Sequence, residues 1–244
     1  MVNNSRLAHF WSAQIITLFP ECFPGILGHS VAGRALHENK WGFETINLRS
    51  FGYGKHKNVD DTPSGGGAGM ILRADIVGKA IESVLASRQN KNKPLVYLSP
   101  RGCLFDQEMA RSWSQKKGVI MLCGRFEGVD QRVIEHYEIE EVSIGDFVMT
   151  GGEIAAQAMI DATIRLLPGV LGNTMSTEHE SHSNGLLEHP QYTRPNHWNG
   201  KVIPDILQSG NHQKVADWRR TQSEEVTQAR RPDLWAKKKQ NTHS

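Results

Sequence analysis

A glycine-rich segment, DDTPSGGGAGM, is the part of the sequence whose residue types most directly suggest ligand binding. It runs from Asp60 to Met70, and its consecutive glycines allow backbone conformations and close ligand approach that side chains would prevent. No Gly-Lys-Ser/Thr follows it, and Met70 occupies the last glycine position of a GxGxxG pattern, which argues against both common nucleotide-binding loops. Two interpretations remain open, a flexible turn and a loop that contacts a ligand.

Three further glycine-bearing segments each follow a predicted strand. They are SPRG at Ser99–Gly102, CGRFEG at Cys123–Gly128 and SIGDFVMTGGE at Ser143–Glu153. Ligands of open α/β sheets bind beyond the carboxyl ends of the strands, where these loops would meet. Each loop alone is typical of an ordinary strand-to-helix turn. Together they favour one pocket whose backbone groups suit an adenosine-sized ligand.

The elements that position these loops alternate between apolar, strand-like runs and amphipathic segments of helical length. This alternation predicts an α/β fold with a mainly parallel sheet. The predicted strands are IITLF, FETINLRS, PLVYLSP, GVIMLCG and EEVSIGDF. The predicted helices are 73–88, 107–116, 129–137 and 153–167.

A polar stretch without periodicity divides the chain, and we predict four parts from it. They are an N-terminal extension (residues 1–13), the α/β domain (14–171), a linker (172–185) and a small, mostly helical C-terminal domain (186–244). Basic residues concentrate in the last part, at Arg219, Arg220, Arg230, Arg231 and Lys237 to Lys239.

Composition indicates a soluble, cytoplasmic protein. The 244 residues carry a net charge of only +2, which by itself does not identify a nucleic-acid-binding protein. Cys22, Cys103 and Cys123 are far apart, which disfavours a disulfide framework or a zinc cluster. The N-terminal segment has no apolar run of the length that a signal peptide or membrane span requires.

Several strings, in this order, resemble the TrmD family of bacterial tRNA (guanine-N1)-methyltransferases from Ile15 to Leu234. The resemblance implies a SPOUT fold in which Gly124 to Gly152 form a deep trefoil knot. It also implies methyl transfer from S-adenosylmethionine to N1 of guanosine 37 of tRNA, 3′ of the anticodon and preceded by a guanosine. The strings are DDTPSGGGAGM, SPRG, CGRFEGVDQRV, SIGDFVMTGGE, IDATIRLLPGVLG, GLLEHPQYTRP and LQSGNH.

The resemblance places the methyl donor among the three strand-end loops. Arg101, Phe126 and Phe147 depart from residues common in relatives. The implied donor-binding residues are Tyr97, Leu98, Ser99, Pro100, Gly102, Gly124, Arg125, Glu127, Gly128, Ile144, Gly145, Asp146, Phe147, Val148, Met149, Gly151 and Gly152.

Two residues match the family's catalytic positions. Glu180 stands where the family has the aspartate that removes the guanine N1 proton, and Glu178 is a neighbouring alternative. A glutamate offers the same carboxylate on a longer stem, so proton abstraction remains chemically available. Arg165 matches an arginine near the target base, where a guanidinium would stabilise negative charge on guanine O6.

The resemblance further implies tRNA contacts, a homodimer with composite active sites and magnesium dependence. Glu180 would act across the dimer interface, and Trp218 could stack on RNA. No metal-ligand spacing in the sequence locates an ion. The implied substrate-binding residues are Asp60, Asp61, Gly65, Gly66, Gly67, Lys55 and Arg219, with His56 and Lys57 beside them.

Two other hypotheses stay open from sequence. The first keeps the fold and the donor but changes the acceptor to another RNA nucleoside. The second is an RNA-binding module in which the change to Glu180 has abolished the chemistry.

Overall fold

The computed structural model of the chain describes residues 10–172 and 180–242. Two compact units divide the chain, Met1–Gly172 and Asn173–Ser244. Within the described residues no helix is both long enough and apolar enough to span a membrane.

The N-terminal unit is built on a parallel five-stranded sheet with the strand order β2-β1-β6-β5-β7. Two short strands, β3 and β4, pair antiparallel beside it. The predicted mainly parallel sheet is therefore confirmed, while the knot stays a prediction. The strands are β1 Trp11–Thr17, β2 Trp41–Asn47, β3 Asp60–Asp61, β4 Ile71–Leu72, β5 Leu95–Leu104, β6 Gly118–Cys123 and β7 Glu140–Ser143.

Helices cover both faces of this sheet, as expected for buried parallel strands. Ile15 and Met121 pack on one face with residues of α1, α3 and α5. Ile16 and Leu122 pack on the other with residues of α2 and α4. The helices are α1 Ser30–His37, α2 Ala74–Leu85, α3 Gln107–Ser114, α4 Gln131–His136 and α5 Glu153–Ile164.

The first strand begins at Trp11, earlier than its apolar pattern indicates. Trp11 is buried and donates its indole N–H to the carbonyl of Trp113 over 2.9 Å. The pattern is interrupted by Ser12 and Gln14, which are buried as well and accept hydrogen bonds from Lys93 Nζ at 2.7 and 2.6 Å. Because the buried Lys93 side chain donates hydrogen bonds to these polar groups, the strand includes positions whose polar residues suggest exposure to solvent.

Strand β5 bulges where it runs beside β7. Leu98 and Cys103 both lie opposite Val142, so Ser99 to Gly102 are looped out of the ladder. A Cβ atom at Gly102 would collide with the backbone of Glu141 and Val142. Glycine at this position therefore permits the loop to form.

The C-terminal unit is mostly helical, as predicted. Helix α6 covers His212–Arg230, and α7 covers Pro232–Thr242. A short hairpin precedes them, with β8 at His197–Trp198 and β9 at Lys201–Val202. Thr227 on α6 is buried and accepts a hydrogen bond from the Leu187 N–H over 2.8 Å, which ties the start of this unit to its long helix.

Candidate active site

A cavity of about 230 Å³ lies at the carboxyl ends of β5, β6 and β7. The three glycine-bearing loops form its walls, as their positions after these strands predict. All of the implied donor-binding residues except Gly102 and Asp146 line it. The further lining residues, which the resemblance did not single out, are Phe126, Val142, Ser143, Thr150 and Ala155.

Tyr97 and two glycines form one wall of this donor cavity. A Cβ atom at Gly124 would lie 2.7 Å from the Tyr97 ring, and one at Gly128 would lie 3.0 Å from the Tyr97 hydroxyl. Gly128 also has a φ of +116°, a conformation that favours glycine. Burial raises the pKa of Tyr97, so its hydroxyl stays protonated at neutral pH.

The second and third loops are joined directly through backbone. The Gly152 N–H donates to the Gly124 carbonyl over 3.1 Å. A Cβ atom at Gly152 would lie 2.9 Å from the Cα of Cys123, so this approach requires glycine. Both glycines are buried, so the second and third loops pack closely against each other at this point.

Gly102 and Asp146 were expected in the donor cavity but do not line it. Gly102 instead lets β5 approach β7 after the bulge, and this contact shapes the loop that does line the cavity. Asp146 lies between Gly145 and Phe147, two residues whose close contact with each other shapes this loop. Both were expected there because the family resemblance implies them as donor-binding residues.

A buried ion pair fixes Arg125 at the cavity wall. Arg125 Nη2 lies 2.8 Å from Glu153 Oε2, and its Nη1 donates to the Thr150 carbonyl over 3.2 Å. The guanidinium also lies 4.4 Å from the centroid of the Phe19 ring. The other carboxylate oxygen of Glu153, Oε1, accepts a hydrogen bond from Thr17 Oγ1 over 2.7 Å.

Glu153 is only 3% exposed and was not singled out from sequence. It occupies the first turn of α5, where the positive end of the helix dipole stabilises a carboxylate. Glutamate is common in the first turn of helices, so its position in the sequence gives no sign of a special role. Only the fold shows that Glu153 pairs with Arg125.

Arg165 lies at the opposite end of α5 from the donor cavity. The helix begins after Gly152, which lines the cavity, and ends at Ile164, just before Arg165. At 1.5 Å per residue these ends are about 20 Å apart. Arg165 therefore does not reach the donor cavity of its own chain.

Glu180 belongs to the C-terminal unit and is half-buried. Its carbonyl accepts hydrogen bonds from the Ser183 hydroxyl over 2.6 Å and from the Ser183 N–H over 3.2 Å. This turn fixes the backbone that carries the carboxylate. The alternative residue, Glu178, lies outside the described residues.

The glycine-rich segment is anchored to the second donor loop. The Glu127 N–H donates to the Met70 carbonyl over 2.9 Å, so the end of the segment lies beside the cavity. Gly65, Gly66 and Gly67 have positive φ angles and no neighbours that a Cβ would meet within 4 Å. This open, left-handed backbone leaves room for a ligand to approach.

The other implied substrate contacts lie at several places. Asp60 and Asp61 form β3, and Asp61 Oδ2 lies 3.4 Å from Arg73 Nη1. Lys55 is exposed in a turn closed by the bridge between Tyr53 and Asn58. Arg219 is exposed on α6 in the other unit.

A groove of about 880 Å³ on the N-terminal unit is larger than the donor cavity. Its arginines are neutralised, because Arg73 lies 3.1 Å from Asp75 and Arg132 lies 2.7 Å from Asp130. Volume alone does not make it the reactive site. The smaller cavity, in contrast, is the place where the three glycine-bearing strand-end loops converge.

Metal binding finds no support in the geometry. Within residues 10–172 and 180–242, no three His, Cys, Asp or Glu side chains form a group that could hold an ion.

Comparison with known proteins agrees with this arrangement. Residues 12–237 match the family model described as tRNA (Guanine-1)-methyltransferase TrmD. A tRNA (guanine-N(1)-)-methyltransferase of Ruegeria sp. (strain TM1040) is 63% identical over 97% of this chain and 96% of its own. Proteins of the same name from Roseobacter denitrificans and Rhodospirillum rubrum are 60% and 54% identical, over 98% and 92% of both chains.

Proposed function

Because the chain belongs to the TrmD family of tRNA (guanine-N1)-methyltransferases, we propose that it methylates N1 of guanosine 37, just 3′ of the anticodon, in tRNAs with a preceding guanosine. The methyl donor in this proposal is S-adenosylmethionine, and the reaction takes place in the cytoplasm. The observation that carries the proposal is the cavity formed by three glycine-bearing loops at the carboxyl ends of β5, β6 and β7.

The donor cavity fits the adenosine part of the proposed donor. Its walls combine apolar side chains such as Leu98 and Met149 with the closely packed backbone of Gly124 and Gly152. When bound there, S-adenosylmethionine supplies a methyl group made electrophilic by a positively charged sulfur. The chain contributes orientation and exclusion of water, which lower the barrier by bringing the reacting groups together.

Glu180 acts as the general base in this proposal. Its carboxylate takes the proton from guanine N1, and the electron pair left on that nitrogen makes it the nucleophile. The turn formed with Ser183 holds the backbone of Glu180, so the longer side chain has a fixed starting point. Glu180 thus supplies the same carboxylate group as the family's aspartate.

Arg165 stabilises the acceptor base as it loses its proton. Negative charge then develops on guanine O6, and a guanidinium, which remains charged at all working pH values, can hydrogen-bond to it. A positioned hydrogen-bond donor of this kind stabilises the transition state by about 3 kcal/mol.

The position of Arg165 supports composite active sites in a homodimer. Because Arg165 lies about 15 Å along the helix from Ala155, the nearest residue of α5 that lines the donor cavity, a second chain supplies the cavity at which it acts in this proposal. Ile154, Ala158, Asp161 and Arg165 follow one another at helical spacing on the outward side of α5. One face of this helix can thus meet a partner and present Arg165 to it.

Exposed apolar residues beside α5 mark the surface for this partner. Ile154 and Ile26 are 65% and 70% exposed. The segments that carry them are in contact, because Gln157, one turn after Ile154, donates to the Cys22 carbonyl over 3.1 Å and lies against Gly25. Clustered exposed apolar side chains are typical of protein interfaces.

The proposal is tested with unmodified tRNA transcripts and labelled S-adenosylmethionine. A transcript with guanosine at positions 36 and 37 should yield 1-methylguanosine at position 37. Adenosine at position 37 should abolish the transfer, and adenosine at position 36 should reduce it strongly.

Three outcomes would contradict the proposal. Equal methylation of the guanosine and adenosine transcripts would exclude the acceptor site. A different methylated nucleoside in a digest would show another RNA target. Tight tRNA binding without any transfer would indicate a binding module instead of an enzyme.

A further inference from the structure

A second pocket lies wholly within the C-terminal unit, and methyl transfer as described does not use it. Its volume is about 410 Å³, which falls in the range of small-molecule sites. Aromatic, amide and cationic side chains share its lining. Among them are His189, Tyr192, Arg194, Gln208, Trp218 and Arg219.

The aromatic rings of this pocket are grouped around Trp218. The His189 ring lies 6.4 Å from it at an interplanar angle of 53°, and the Tyr192 ring lies 6.3 Å from it at 57°. These tilted rings do not stack face to face on Trp218. Tyr192 is 47% exposed, so part of its surface is open to a planar ligand. Aromatic side chains in this arrangement are typical of sites that stack unpaired bases.

Two amide side chains provide hydrogen-bonding groups. Gln208 Nε2 donates to Asn196 Oδ1 over 3.0 Å and to the Ile203 carbonyl over 3.3 Å. These bonds fix both amides and direct the Asn196 amino group and the Gln208 oxygen to other partners. A donor and an acceptor side by side can pair with the edge of a nucleobase.

The pocket also carries positive charge suited to phosphate. Within residues 180–242, Arg194 and Arg219 form no ion pair, in contrast to Arg231, whose Nη2 lies 2.6 Å from Asp233. Residues 180–242 contain ten Lys and Arg against seven Asp and Glu, whereas residues 10–172 contain 17 against 18. The excess cationic charge thus belongs to the unit that holds this pocket.

We propose that this aromatic pocket binds an unstacked nucleobase of the tRNA other than the methyl acceptor, with Arg194 and Arg219 contacting the adjoining phosphates. The inference rests on the proposed function for its ligand. Neither Glu180 nor any residue of the donor cavity lines the pocket, so its occupant is a different nucleotide from the one that reacts.

The test measures tRNA binding and single-turnover methyl transfer by the full-length enzyme. Trp218→Ala and Tyr192→Ala should each raise the Kd for a tRNA transcript by roughly 5- to 100-fold, the range of one lost base stacking. The rate at saturating tRNA should remain within about twofold of wild type, since the reacting base is elsewhere. Trp218→Phe keeps a stacking surface and should restore most of the affinity.

Trp198→Ala is the matched control. Trp198 is 64% exposed on the β8–β9 hairpin of the same unit and does not line the pocket. Its removal should leave the Kd for tRNA unchanged. If Trp218→Ala alters the folding of α6, the largely exposed Tyr192 ring still allows a decision from Tyr192→Ala.

Salt dependence separates base binding from general attraction to phosphate. The logarithm of the association constant for tRNA falls linearly with the logarithm of the salt concentration. Arg219→Gln should reduce the magnitude of this slope by about one, the value for one lost phosphate contact, whereas Trp218→Ala should leave the slope unchanged. Wild-type affinity in both alanine variants would overturn the inference. A Trp218→Ala enzyme that binds normally but reacts slowly at saturating tRNA would also overturn it, because the pocket would then hold the acceptor.

The same assays judge the proposed function separately. Methyl transfer by the wild-type enzyme supports the proposed function whatever the pocket variants do. A loss of tRNA affinity in those variants supports the pocket even if the methylated position proves to be a different one.

Discussion

Glu153 links the donor cavity to the centre of the sheet. Its carboxylate is buried, bonded to Thr17 at the end of β1 and paired with Arg125 at the cavity wall. A buried charge remains stable only while its partner stays in place, so this pair constrains the orientation of Arg125 strongly. We therefore regard Glu153 as a positioning residue for donor binding.

Glu153→Gln should weaken donor binding with little effect on the chemical step. Glutamine keeps the size and the Thr17 hydrogen bond but removes the charge that holds Arg125. We expect the Kd for S-adenosylmethionine, measured by calorimetry, to rise about tenfold, the effect of roughly 1.4 kcal/mol. The rate at saturating donor should change less than threefold.

Glu38→Gln provides the control for this prediction. Glu38 also forms an ion pair, with Lys40, but its side chain is 45% exposed and lies outside the donor cavity. Because exposed pairs contribute little, its substitution should not alter donor affinity. An equal change in the Kd for S-adenosylmethionine from the two substitutions would show that donor binding does not depend on the pairing of Arg125 with Glu153.

Much of the donor cavity could be predicted at the level of single residues. Gly124 ends one predicted strand and Gly152 lies in the loop after another, and parallel strands bring such ends together. The role of Glu153 could not be predicted, since its partner Thr17 is far away in sequence and only the fold joins them. Whether these residues bind the donor stays a prediction.

Among the elements, the bulge in β5 has the clearest link to function. It loops Ser99 to Gly102 out of the ladder and carries Ser99 and Pro100 to the cavity. Bulges redirect side chains at sites of this kind. The loop therefore depends on the close passage of Gly102 against β7.

Gly102→Ala should disturb this bulge. The added Cβ would collide with the backbone of Glu141 and Val142, which cannot move as a flexible side chain can. We expect a loss of about 1–3 kcal/mol in the free energy of unfolding, measured by chemical denaturation, and weaker donor binding. Gly172→Ala, where no atom lies within 4 Å of the added Cβ, is the control. An unchanged stability of the Gly102 variant would mean that β5 and β7 separate easily.

Apolar runs predicted the strands of the central sheet because parallel strands are buried on both faces. They did not predict the start of β1, since Ser12 and Gln14 read as surface residues until Lys93 is seen to satisfy them. The bounds of helix α7 could not be predicted, because its lysine-rich sequence lacks an apolar stripe. The strand order depends on long-range pairing, which periodicity does not encode.

At the scale of the whole molecule, the donor cavity and the proposed base fall in different units. The donor cavity belongs to the N-terminal unit, while Glu180 and the excess positive charge belong to the C-terminal unit. Arg165 lies too far from its own donor cavity to act there. In the proposed homodimer, composite sites would join Arg165 of one chain to the donor cavity of the other.

Mixed dimers test the composite sites. Gly124→Val should disable the donor cavity, because a side chain there meets the Tyr97 ring, and Glu180→Gln should disable the base. Each homodimer should be inactive. Heterodimers formed from both variants by co-expression should regain about half the wild-type rate, since one of the two sites would then combine an intact cavity with an intact base. Heterodimers without activity would place both functions in one chain.

We propose above that Glu180 removes the N1 proton of guanine, and single-turnover methyl transfer with saturating tRNA and donor is the most direct test of this role. Glu180→Gln retains the shape of the side chain but cannot accept the proton, so the rate should fall by about 10²–10⁴-fold. Glu180→Asp, which keeps the carboxylate, should remain within about tenfold of wild type. A glutamine variant as fast as the wild type would contradict the assignment.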